Sequence, residues 1–179
     1  MKRIGVCFLE DYKKMKKYMK IRDNFKNIFL LKILFNLLVE LKRRDFVRKY
    51  GSEVSPGAQI GEAYFAHPLG LVIGRDAIIE DEVVIMSNIT FGGLRVDNHI
   101  GKQHIKRGTL IGTGARILGE LTIGENCVIG ANSVVTKDVP ADSVVVGYNI
   151  IKKKDNKIKY VDFELLRKEY RKIGVKEWK

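Results

Sequence analysis

Three histidines carry most of the chemistry this chain can do. His67 sits in Phe65-Ala66-His67-Pro68-Leu69-Gly70, while His99 and His104 fall in residues 92–104, GGLRVDNHIGKQH. An imidazole titrates near neutral pH, so it can take a proton from a hydroxyl or, as the neutral ring, ligate a metal. A zinc centre needs several such ligands to converge on one point. Here two of the three lie close together on one polar, glycine-rich segment.

The elements that must position them follow a six-residue beat. Aliphatic residues fall at Ile73, Ile79 and Ile85, then at Ile105, Ile111, Ile117, Ile123, Ile129 and Val135. The fourth residue after each is usually small or apolar, as at Ala77, Val83, Thr109, Ala115, Cys127, Ser133 and Val139. A period of six matches neither an α-helix nor an alternating strand. It predicts a parallel β-helix, in which each unit gives one short strand and one bend and three units make a turn. The aliphatic residue points inward and buries its area at about 25 cal/mol per Å². Glycine at the next position (Gly74, Gly112, Gly124, Gly130) is expected to ease the bend.

The beat breaks twice. Between Ile60 and Ile73 the spacing is 13 rather than 12, and that stretch holds His67. Between Ile85 and Ile105 it is 20, and residues 92–104 read as an extruded loop. A loop that leaves a regular coil and carries histidines is a candidate wall of an active site.

Three parts are therefore expected: an N-terminal helical segment (1–50), the coil (51–150) and a basic C-terminal helical tail (151–179). In the first, Phe29, Ile33, Leu37 and Leu41, widened by Leu30, Leu34 and Leu38, form a helical stripe expected to be core. In the last, Phe163, Leu166, Tyr170 and Ile173 share a face expected to dock on the coil end or on a neighbour. The formal charge of +12 divides into +10 for 1–50, −4 for 51–150 and +6 for 151–179. The basic flanks carry no nucleic-acid motif, so nucleic acid is not expected, and attraction to an anionic membrane surface is the better reading. Residues 28–41 are too short and too interrupted to span a bilayer. Cys127 falls at an interior position and reads as core rather than as half of a disulfide. A cytoplasmic protein is expected.

The coil resembles the hexapeptide-repeat acyltransferases, and within them the serine acetyltransferase branch and its O-acetyltransferase relatives. The resemblance is carried by His67-Pro68-Leu69-Gly70-Leu71-Val72-Ile73-Gly74, by Asn88-Ile89-Thr90-Phe91-Gly92-Gly93, by residues 110–119 and by residues 129–140. It implies a mainly β fold: a left-handed parallel β-helix flanked by an N-terminal helical segment and a C-terminal helix. It also implies acetyl transfer from acetyl-CoA to a hydroxyl, without a metal, in a homotrimer whose sites lie between coils. His67 matches the family's general base, and Glu53 the carboxylate that orients it. Gly92 and Gly93 match backbone amides near the thioester. A second family histidine, which helps bind the acceptor, corresponds by spacing to Lys102, with His104 and His99 as alternatives. Gly112, Thr113, Ala115, Gly130 and Ala131 suit the approach of pantetheine, and Lys137 or Arg116 the phosphates.

Two departures bear on the substrate. The family's closing Pro-Ala pair is absent from Val146-Gly147-Tyr148-Asn149-Ile150-Ile151-Lys152, and Lys152, Lys153 and Lys154 stand in for its missing base. Serine acetyltransferases carry an aspartate immediately before the catalytic histidine, where this chain has Ala66. A sugar hydroxyl of a surface-polysaccharide precursor is therefore the favoured acceptor and L-serine the alternative. From other classes come a non-catalytic trimeric scaffold and a γ-carbonic anhydrase, the latter needing His67, His99 and His104 to meet on zinc.

Overall fold

A computed structural model describes residues 4–24, 29–93, 101–155 and 160–172. Helices α1 (Ile4–Asn24) and α2 (Phe29–Tyr50) lead into fifteen short strands, and α3 (Phe163–Lys172) follows them. The strands stack in three parallel faces. The first face holds β1 (Glu53–Val54), β4 (Val72–Ile73), β7 (Thr90–Gly92), β10 (Arg116–Leu118) and β13 (Val134–Val135). The second holds β2 (Gln59–Ile60), β5 (Ile78–Ile79), β8 (Gln103–Ile105) and β11 (Leu121–Ile123). The third holds β3 (Tyr64–Phe65), β6 (Val84–Ile85), β9 (Leu110–Ile111), β12 (Val128–Ile129), β14 (Ser143–Val146) and β15 (Ile150–Lys153). The chain visits the faces in that order, turn after turn. This is the parallel β-helix that the beat calls for.

Every aliphatic residue of the beat from Ile73 to Val135 is at most 1% exposed. The small residues four places on, including Cys127 and Ser133, are buried with them. Cys7 and Cys127 are both free.

The glycines after the aliphatics have a different job from the one expected. None of Gly74, Gly112, Gly124 and Gly130 has positive φ. A Cβ on Gly112 would instead lie 2.7 Å from Ala131 N, and one on Gly124 would collide with Ala141 N. They let the next turn stack closely. The left-handed corners fall elsewhere, at Gly51, Gly70, Asn88, Gly114 and Asn132 on one edge.

The stripe on α2 is not core. Leu30 is 78% exposed, and Ile33, Leu34, Leu37 and Leu41 are about half exposed. Helix α1 takes the place against the coil, burying Val6, Phe8, Leu9, Tyr12 and Met15. Gly5 makes this approach feasible, because a Cβ there would collide with the Phe65 carbonyl. Phe8 gathers Phe46, Tyr50 and Phe65 at centroid distances of 4.6–5.0 Å. The Tyr12 hydroxyl donates to Ala58 O at 2.6 Å. Helix α2 thus docks through its C-terminal end and leaves its leucines outside.

At the far end, β15 folds back antiparallel on β14 and takes in Lys152 and Lys153. Helix α3 begins at Asp162, whose Oδ1 accepts from Leu165 N at 3.0 Å. It docks on the side of the coil rather than its end: Arg167 pairs with Glu82, which is 8% exposed and also lies 3.4 Å from Arg107. Ile173 lies outside the described residues. Among those residues no helix is long and apolar enough to cross a membrane.

Candidate active site

His67 lies on the edge where the third face hands over to the first. On the following turn six residues separate Val84 from Thr90, but eight separate their partners Tyr64 and Val72. The preceding crossing is one residue short, five from Gln59 to Tyr64 against six from Ile78 to Val84. The spacing of 13 is therefore a two-residue expansion offset by a one-residue contraction, and His67 sits in the expansion.

Ser52, 2% exposed, ties this corner down. Its Oγ donates to Pro68 O at 2.9 Å and accepts from Leu71 N at 3.0 Å. Leu69 N closes a tight turn onto His67 O at 2.7 Å. The backbone is fixed while the imidazole is exposed, with no side-chain hydrogen bond among the described residues. Ser52 was not singled out in the sequence, where a small polar residue before a strand is unremarkable.

Glu53 is exposed at the start of β1, where its Oε1 accepts from Arg43 Nη2 of α2 at 3.0 Å. The structure gives it a partner on the helix, and no hydrogen bond joins it to His67.

Gly112, Thr113, Ala115, Gly130 and Ala131 line the same edge as His67, two and three turns further along the coil. With strands about 4.8 Å apart, they lie roughly 10 and 15 Å from the His67 turn along the axis. Thr113 Oγ1 is 3.5 Å from Ser87 Oγ. Arg116 brackets this edge, its Nη1 donating to the carbonyls of Asn88 (2.5 Å), Gly114 (2.9 Å) and Ala115 (3.2 Å).

Gly92, Gly93, Lys102 and Lys137 belong to the next edge, from the first face to the second. There the crossing from Thr90 to His104 takes 14 residues where Val72 to Ile78 takes six, eight more. His99 lies outside the described residues. His104 does not belong to the extruded part: it is the middle of β8, on the second face, with Nε2 2.7 Å from Glu80 Oε1. Nothing in the sequence marks Glu80, because the turn length that stacks it beside His104 is set by the long crossing itself.

One coil thus divides the candidates between two edges. His67 and the small-residue strip share one; the glycine pair, Lys102 and Lys137 share the other. No group of three histidine, cysteine or acidic side chains that could hold a metal ion occurs among the described residues. His67 and His104 stand on different parts of the coil.

The family described as "Bacterial transferase hexapeptide (six repeats)" matches residues 104–137. A serine acetyltransferase of Synechococcus elongatus is 44% identical over 100 residues, 54% of this chain and 40% of that protein. One from Bacillus subtilis is 46% identical over 100 residues, 54% of this chain and 45% of the relative. Among solved structures, a serine acetyltransferase in complex with cysteine superposes with a TM-score of 0.72 at 26% identity, covering 89% of this chain and 58% of that one. Soybean serine acetyltransferase superposes at 0.60 with 34% identity, covering 69% and 51%. The chain spans about half the length of these relatives or less. These relatives are named for serine. Through its coil, the chain is similar to the hexapeptide-repeat transferases, and the relatives it matches there are serine acetyltransferases.

Proposed function

We propose that this protein is an acetyl-CoA-dependent O-acetyltransferase with His67 as general base. The observation that carries the reading is the expanded corner. It presents an exposed histidine on a fixed backbone, in line with a strip of small residues along which a thin pantetheine arm can lie. A solved serine acetyltransferase in complex with CoA superposes on this chain with a TM-score of 0.65, in keeping with that cofactor. The hydroxyl oxygen of the acceptor adds to the thioester carbon, and its proton passes to His67. The C–S bond then breaks, His67 returns the proton to the departing sulfur, and CoA leaves as the thiol.

L-serine is the acceptor the relatives support. A sugar hydroxyl is the second reading, favoured by Ala66, which offers no carboxylate to an ammonium group next to His67. Losing such a charge-assisted pair costs an amino-acid substrate about 1.5–3 kcal/mol. The division of candidates between two edges supports a homotrimer, in which the Gly92–Gly93 edge of one coil faces the His67 edge of the next. Glu53 orients His67 in this reading only by exchanging Arg43 for the imidazole. The reaction belongs in the cytoplasm, where acetyl-CoA is at hand, and the basic helices favour a position at the membrane surface.

The test follows CoA release from acetyl-CoA with a thiol reagent, offering L-serine or a panel of sugars and nucleotide-sugars. Removal of the base in His67→Ala should lower turnover roughly 10²- to 10⁴-fold. Serine-dependent release assigns L-serine, and sugar-dependent release the second reading. Silence with every acceptor, and no CoA binding, would return the coil to a scaffold.

A further inference from the structure

Strand β8 begins with a residue the coil interior does not ask for. Gln103 is fully buried. It lies beside Leu121 in the parallel register, in a column that Ala77 occupies one turn earlier. An apolar side chain serves that column, whereas a buried amide must find partners for its polar atoms. Gln103 Nε2 donates to Gly92 O at 2.9 Å and to Gly119 O at 2.6 Å. These two acceptors fix the amide's orientation, since a flip would set its oxygen against two carbonyls. Its Oε1 has no partner among the described residues.

The carbonyl it grips belongs to the neck of the excursion. Gly92 O also accepts from Gly119 N at 2.9 Å. Gly101, where the described chain returns, presses on the same peptide: a Cβ there would lie 2.8 Å from both Gly92 C and Gly93 N. The Gly92–Gly93 peptide plane is therefore held through its oxygen by two donors. In a trans peptide the N–H points opposite to the C=O. Gly93 N–H is thus turned away from the neck, and it donates to no backbone carbonyl among the described residues.

We propose that Gln103 is a positioning residue for acyl transfer: by holding the Gly92 carbonyl, it aims the Gly93 N–H at the oxygen of the acetyl thioester. The inference rests on the acetyltransferase reading above. As the acceptor adds to the thioester carbon, that oxygen gains charge, and a donor already aimed at it stabilises the charge without reorganising. The interaction grows in the transition state, so its loss falls on kcat rather than on the binding of acetyl-CoA.

Gln103→Met keeps the volume and removes the amide. Measured in the full chain by CoA release, it should lower kcat roughly 10- to 100-fold, with the KM for acetyl-CoA within about threefold of wild type. Melting temperature and assembly size should stay close to wild type. Gln103→Glu adds a signature that a purely structural role lacks. Its side chain can donate to Gly92 O only when protonated, so kcat should fall with rising pH on an ionisation absent from the wild type. A folded Gln103→Met with wild-type kcat overturns the proposal. So does a Gln103→Glu pH profile that overlays the wild type, which covers the case where the methionine variant does not fold. An active wild type, an inactive His67→Ala and an unimpaired Gln103→Met would remove Gln103 alone. A wild type that releases no CoA with any acceptor and binds none removes the acetyltransferase reading and this inference with it.

Discussion

Glu80 Oε1 and His104 Nε2 lie 2.7 Å apart although 24 residues separate them in the chain. Parallel stacking sets Ile78 beside His104, and the second Glu80 oxygen accepts from Arg107 N at 3.0 Å. The carboxylate is held on one side and orients the ring on the other. Both side chains are about one-third exposed, so the pair contributes under about 1 kcal/mol to folding. We expect Glu80→Gln to leave the melting temperature nearly unchanged while raising the acceptor KM several-fold, and His104→Asn to do the same. Unaltered acceptor KM values in both variants would take His104 out of the site.

Glu82 fastens the C-terminal helix. It is nearly buried at a left-handed corner (φ 59°) and pairs with Arg107 and Arg167. The Arg167 Nε is buried without a partner among the described residues, and its guanidinium pairs with Glu82 on the coil and with Glu164 on its own helix at 2.9 Å. Glu82→Ala should cost about 1–3 kcal/mol of docking energy. Deuterium exchange then reads the outcome: α3 amides should exchange faster while β5 and β6 stay protected. Equal protection of α3 in both proteins would mean that other contacts hold it.

The helical hairpin should loosen in acid. Burial alone would raise the Asp11 carboxyl, but Lys49 Nζ at 2.6 Å and Tyr50 Oη at 2.8 Å outweigh it and hold the group below its ordinary 3.8. A folded-state value below the unfolded one gives stability that is present above 3.8 and is lost as pH falls through the depressed value. Melting curves of the wild type should therefore drop more steeply below pH 4 than those of Asp11→Asn, which starts lower by about 1 kcal/mol at pH 7. Parallel acid limbs would assign that sensitivity elsewhere.

The leucines of α2 bear on where the protein resides. Leu30, Ile33, Leu34, Leu37 and Leu41 share one exposed face, and Arg44 and Arg48 continue the same helical stripe. Residues 1–50 carry 15 basic and 5 acidic side chains. Such a face suits an anionic bilayer surface. The protein should co-sediment with vesicles containing phosphatidylglycerol, less with pure phosphatidylcholine, and less again after Leu34→Ser with Leu37→Ser. No sedimentation with either vesicle would hand the stripe to a protein neighbour.

The coil was legible because each interior position repeats one demand. Ile73 and Ile129 face the same packing problem, so their spacing reports the fold. The His67 corner and the excursion were legible as breaks in that repeat. What each break does was not, since a spacing of 13 does not say that one corner shrinks while the next expands. Helix docking escaped for a related reason. The apolar residues of α1 and α2 share one period, and the choice between them turns on Gly5, whose missing Cβ lets α1 reach the Phe65 carbonyl. Gln103 and Ser52 were invisible because their value lies in carbonyls a turn away. Nothing in the sequence around Glu53 reveals its partner Arg43 on the preceding helix.

The aromatic cluster of Phe8, Phe46, Tyr50 and Phe65 joins both helices to the first turn of the coil before any later residue is needed. Each later turn then pairs with the one made just before it. A chain built from its N-terminus can therefore fold at the pace of its synthesis, adding one turn to a finished template for each stretch of peptide that leaves the ribosome. Arrested nascent chains ending near Ile111 should already protect the hairpin and the first two turns from protease, whereas chains that begin at Gly51 should gain such protection only when nearly complete.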